Sequence, residues 1–168
     1  MRPTLAERLA ADPGAVIETV AAEEGVTARA VLEALPAGMR YFGEGGFFAD
    51  AMAAIARWGD VTLIIHTPDG IFEITGCVPE GKITRGYFNL DARKGLHGHL
   101  RNGRCGGIAF VERPFMGKPS AFVAFLNVDG GIMFKVFVSR DATGALQKEQ
   151  LAAFKALREA VVAEHIDD

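Results

Sequence analysis

Val61-Thr62-Leu63-Ile64-Ile65-His66-Thr67-Pro68-Asp69-Gly70-Ile71-Phe72-Glu73-Ile74-Thr75 is the stretch that decides the architecture. Two runs rich in β-branched residues flank Thr67-Pro68-Asp69-Gly70, a turn with proline second and glycine fourth, so 61–66 and 71–75 form an antiparallel hairpin. A two-residue loop pairs Thr67 with Gly70 and His66 with Ile71. Counting back from there, Val61, Leu63, Ile65, Phe72 and Ile74 share an apolar face that belongs in a core. His66 lies on the other face with Thr62, Ile64, Ile71, Glu73 and Thr75, a mixed surface suited to a ligand or a partner. A slip of one residue would exchange the two faces.

Downstream, period-two patterning marks strands at 86–90, 96–101, 108–113, 121–127 and 132–140, the last two joined through Asp129-Gly130-Gly131. Upstream the period is helical. Thr4-Leu5-Ala6-Glu7 has capping-box spacing, Asp12-Pro13 sets a cap before a first-turn proline, and Gly25-Val26-Thr27 ends one helix and caps the next. These signals predict helices near 4–11, 13–24 and 27–35, with Pro36 as a stop. After a glycine-rich turn at 43–46, Phe48, Met52, Ile55 and Ala56 lie along one side of a fourth helix within 47–58. Thr143 caps a last helix running to about Glu164, with Leu146, Phe154, Leu157 and Val161 facing the sheet. The expected class is α+β. N-terminal helices (1–58) precede a largely antiparallel sheet of about seven or more strands (59–141), and a C-terminal helix (142–168) packs on that sheet. One domain over 1–168 is the simplest organisation.

A chain of 168 residues can bury roughly 68–70% of its extended surface, and 49% hydrophobic content supplies the means. A net charge of −3 gives no overall attraction to nucleic acid or an anionic membrane. No run approaches the roughly 20 apolar residues of a membrane span. Glu7 follows Met1-Arg2-Pro3 before any apolar run develops, so no signal peptide is read and the expected location is the cytoplasm. Cys77 and Cys105 form no Cys-x-x-Cys pair and read as buried, reduced thiols.

The second cluster of histidines is Leu96-His97-Gly98-His99-Leu100-Arg101. On an extended strand His97, His99 and Arg101 project to one side, and Gly98 leaves the backbone between them bare enough for a flat molecule to approach. Neutral imidazole is a good iron ligand. Four histidines in all, with His165 in the tail, do not read as a closed zinc site. On spacing alone, His66 and His99 are ordinary surface or hydrogen-bonded histidines.

Their neighbourhood changes that reading. Trp58-Gly59-Asp60-Val61-Thr62, Ile65-His66-Thr67, Phe72-Glu73, Arg85-Gly86-Tyr87-Phe88-Asn89-Leu90, Gly98-His99-Leu100, Arg113-Pro114-Phe115-Met116-Gly117 and Met133-Phe134-Lys135-Val136-Phe137-Val138 together resemble the intracellular haem-utilisation carriers of the HutX/ChuX type. The resemblance covers nearly the whole chain. It implies one half of the fold of larger, internally doubled haem-utilisation proteins, a homodimer, haem as bound cargo, and a haem-degrading enzyme as recipient. It further implies that His66 and His99 match the positions at which haem iron is bound. Tyr87 is a rival ligand, because phenolate binds ferric iron and Arg85 beside it would favour the ionised form. Porphyrin faces need apolar cover, for which Ile64, Ile71, Phe88 and Met116 are candidates, and propionates need cations such as Arg85, Arg101, Arg104 or Lys118.

Two other functions compete. One is a haem-degrading or haem-reducing enzyme, although no flavin or nicotinamide fingerprint occurs and no Gly-x-Gly-x-x-Gly follows a strand. The other is a helix-turn-helix regulator built on 21–35, whose recognition helix offers Arg29 as its one cation beside Glu33 and makes a poor phosphate contact.

Overall fold

The computed structural model describes residues 1–163. In chain order the elements are α1 (Leu5–Ala11), α2 (Ile17–Glu24), α3 (Ala28–Glu33), β1 (Arg40–Glu44), α4 (Phe48–Ile55), β2 (Asp60–Thr67), β3 (Gly70–Cys77), β4 (Gly81–Thr84), β5 (Tyr87–Leu90), β6 (Gly98–Leu100), β7 (Cys105–Phe115), β8 (Lys118–Asn127), β9 (Ile132–Phe137) and α5 (Lys148–Ala163). The α+β class is the expected one, but the strands divide between a six-stranded antiparallel sheet, β1-β7-β8-β9-β2-β3, and a three-stranded sheet, β4-β5-β6.

The hairpin forms with the anticipated register, Thr67 opposite Gly70 and His66 opposite Ile71. Val61 and Leu63 are buried, and Ile65 and Ile74 pack against the same core. Phe72 departs from expectation. It is 60% exposed, because β3 is the sheet edge and its turn end overhangs the core. Cys77 is also exposed rather than buried, at the far end of β3. Its Sγ lies 3.3 Å from Asp60 Oδ1, a contact that pushes the thiol pKa up and away from reactive thiolate.

Several element boundaries differ for identifiable reasons. α2 begins at Ile17 instead of residue 13, because Asp12 is the C-cap of α1 and residues 13–15 form a bend held by Arg113. β7 and β8 outrun the predicted 108–113 and 121–127. Pro114 and Pro119 sit opposite one another beside a two-residue turn in which Met116 and Gly117 both have positive φ. β1, which runs into the glycine-rich segment at 43–46, and the short β4 are not among the expected strands. β6 keeps three residues of the expected 96–101, and β9 ends at Phe137 instead of 140. The last helix starts at Lys148 because Asp141 accepts hydrogen bonds from the backbone N–H groups of Thr143 (2.8 Å) and Ala145 (3.2 Å), closing a turn there. The predicted helix end at Glu164 and the tail His165 lie outside the described residues.

Alternation along β7 and β8 sorts the core into two layers. Ala109, Val111, Phe122, Ala124 and Leu126 face α1–α3, meeting Leu9, Ile17, Val20 and Leu32. Ile108, Phe110, Val123 and Phe125 face the other way, toward Phe48 and Met52 of α4 and Phe154 and Leu157 of α5. The small sheet covers this second side through Phe88 and Leu90. Gly45 sits where the chain enters α4, and a Cβ there would come within 1.9 Å of the Cys105 carbonyl oxygen. Since the obstacle is backbone, Gly45→Ala is expected to cost about 3 kcal/mol, to be read from denaturant midpoints.

Candidate functional site

α1–α3 cover the part of the six-stranded sheet built from β7 and β8 and reach onto β9, leaving the same face of β2 and β3 more open. A cavity of about 330 Å³ lies there, closed on one side by the start of α2. β2 contributes Thr62, Ile64 and His66, which alternation places on this face, and β3 adds Ile71 and Glu73. The apolar wall is completed by Phe115 and Phe137.

His66 is not loose. Its Nδ1 is 3.3 Å from Glu18 Oε2 on α2, while Glu18 Oε1 is 2.6 Å from Lys135 Nζ on β9. The carboxylate favours a proton on Nδ1 and so leaves the Nε2 lone pair for a metal. Burial opposes the charge on Glu18. The positive charge and hydrogen bond of Lys135, with its own backbone N–H and His66, outweigh that effect and hold its carboxyl below the usual carboxylate range.

His99 lies elsewhere. Phe88 and Leu90 point into the core, so Tyr87 and Asn89 project from the outer face of β5, where His99 of β6 stands opposite Asn89. Asn89 Nδ2 donates to the carbonyls of Lys82, Thr84 and Tyr87 at 3.2–3.4 Å, which aims its Oδ1 at His99 Nδ1, 2.5 Å away. This ring too therefore keeps Nε2 open. Its centroid is 6.1 Å from that of Tyr87, and Arg101 lies 5.8 Å over the tyrosine. Arg85, in a left-handed turn conformation, lines the same shallow depression.

The structure thus brings His99, Tyr87, Arg85 and Arg101 together and sets His66 apart on the other sheet. Ile64 and Ile71 line the His66 cavity, whereas Phe88 belongs to the core and Met116 projects from the β7–β8 turn at 87% exposure. Arg104 pairs with Asp129, and His97 Nδ1 rests 2.9 Å from the Gly95 carbonyl. Gly98 has φ +152°, so its lack of a side chain serves the backbone path of β6. Sequence reasoning passed over Glu18, Lys135 and Asn89. Lys135 carried a signal, a lone cation between Phe134 and Val136 on an inner strand, but Glu18 carried none.

If His99 binds iron, Asn89 controls how well. Asn89→Ala is expected to weaken any His99-dependent haemin binding about tenfold, with a spectral change in the direction of His99→Ala, measured by absorbance titration.

Among the described residues no helix is long and apolar enough to cross a membrane. The chain is 34% identical over 160 residues to the intracellular heme transport protein HutX of Vibrio cholerae, covering 95% of this chain and 83% of that protein. It superposes on the heme-binding protein ChuX with a TM-score of 0.84 at 36% identity, covering 94% and 98% of the two chains. Holo-PhuS, a heme-binding protein from Pseudomonas aeruginosa, shares the fold at a TM-score of 0.72 and 17% identity, with 90% of this chain matching 44% of that one, so this fold corresponds to about half of the longer protein. Residues 42–157 match the model of the family described as haem utilisation ChuX/HutX, and these findings together show that the chain belongs to that family.

Proposed function

We propose that this protein binds haem in the cavity beside His66, with His66 Nε2 as the iron ligand, and carries it through the cytoplasm to a haem-degrading enzyme. One observation carries the reading: an imidazole whose Nδ1 is engaged by Glu18 opens onto a cavity with an apolar wall and a cationic floor, the surroundings that iron porphyrin needs. Intracellular heme transport in HutX and heme binding in ChuX support it. The cavity is a cleft and not an enclosed chamber, which suits a cargo that must leave again. His99, with Tyr87 beside it, is the second candidate ligand. Residues 1–168 act as one unit, and two such units pair as a homodimer, in keeping with the half-length match to PhuS.

Haemin titration should give a shifted Soret band saturating near one haem per chain, with loss of the band to a haem-degrading enzyme on mixing. On incubation with a reductant in air, the Soret band should be lost only slowly and no defined bilin product released. Rapid Soret loss with a defined bilin product would instead assign the protein an oxygenase activity.

A further inference from the structure

The cavity floor holds a charge that no ion pair among the described residues neutralises. Arg113, near the end of β7, is 6% exposed. Its Nη1 donates to the carbonyls of Pro13, at 3.0 Å, and Ala15, and its guanidinium lies against the rings of Phe115 and Phe122 at 5.7 and 5.6 Å. Its Nε has no hydrogen-bond partner. None of the ion pairs among the described residues includes it. Burial pulls the guanidinium pKa down, and the more distant charges of Glu18 and Asp12 do not make up the difference.

The neighbouring cation is in a different state. Lys135 is equally buried, yet Glu18 meets its charge at 2.6 Å. Arg140, on the same wall, donates to the carbonyls of Pro119 and Gly144. α2 also begins at this wall, with Val16 as an N-cap that offers no side-chain acceptor. A buried guanidinium paired only with backbone carbonyls is costly, and an entering organic anion would relieve it with short, charge-assisted hydrogen bonds.

We propose that Arg113, seconded by Arg140, is a carboxylate subsite of the His66 cavity that receives a propionate of the bound tetrapyrrole and selects free-acid over esterified porphyrins. This rests on the haem reading above and refines it. The cations suggested by sequence for the propionates, Arg85, Arg101, Arg104 and Lys118, are not among the residues lining this cavity.

Metal-free protoporphyrin IX and its dimethyl ester test the subsite independently of any iron ligand, with haemin titrated in parallel. By fluorescence, the diacid should bind about tenfold or more tightly than the diester. Arg113→Met should abolish that preference, and Arg113→Lys should retain part of it. Because Arg113 also anchors residues 13–15, the wild-type comparison decides the matter if Arg113→Met does not fold. Equal affinity for diacid and diester, or a preference undiminished in folded Arg113→Met, would overturn the subsite while haemin binding stood. Failure to bind haemin at all would remove both readings.

Discussion

His66→Ala is expected to lower haemin affinity by about 100-fold or more and to shift the Soret band toward that of free haemin. The estimate follows from the position of the ring. Loss of a group that merely orients a metal ligand costs 10- to 100-fold, so loss of the ligand itself falls at or beyond the upper end of that range. Glu18 and Lys135 would remain as an ion pair in the variant, so the fold should survive and the loss can be read as a local one. His99→Ala, on a shallow outer depression with little apolar cover, should cost less. Absorbance titration of both variants gives the ranking, and a larger loss from His99→Ala would move the primary ligand to the outer sheet.

Phe48→Ala is expected to cost about 3–5 kcal/mol in unfolding free energy, a large part of the stability of a domain of this size. Phe48 is 2% exposed and touches three other rings, with centroids 5.5 Å from Phe88, 5.1 Å from Phe125 and 6.3 Å from Phe134. It thereby joins α4, the central strands and the small sheet in one contact. Since Phe88 lies on the strand that carries Tyr87 and Asn89, the cavity left behind should loosen the His99 face before the His66 face. Urea denaturation gives the first number. Amide exchange on β5 and β6 compared with β2 tests the second, and uniform loss of protection would contradict it.

What the sequence disclosed depended on whether the signal was local. The hairpin register was legible because a Pro-Asp turn and a run of alternating residues specify the same pairing, and it placed His66 on the correct face. The capping box at Thr4 and Glu7 was legible for the same reason. The full reach of β7 and β8 past 113 and before 121 was not legible, because a proline's compatibility with a strand depends on its partner, which lies across a turn whose left-handed residues include a methionine. Phe72 misled because alternation tells which face a residue occupies but not whether the core extends beneath it.

The site followed the same rule. His66 and His99 were visible as residues in patterned segments, but the distances that give them chemistry run between distant parts of the chain. Glu18 reaches His66 from α2, and Lys135 reaches Glu18 from β9. Nothing in an amphipathic eight-residue helix marks one glutamate as the partner of a histidine on a strand. The separation of His66 from the Tyr87–His99 face also arises only once the strands split into two sheets.

The most direct test of the central claim is the position of iron. Crystals of the haemin complex, measured at the iron absorption edge, should show an anomalous peak within bonding distance of His66 Nε2, in the cleft between α2 and the β2–β3 hairpin. A peak found only on the outer face beside His99 and Tyr87, with the His66 cavity empty, would contradict it.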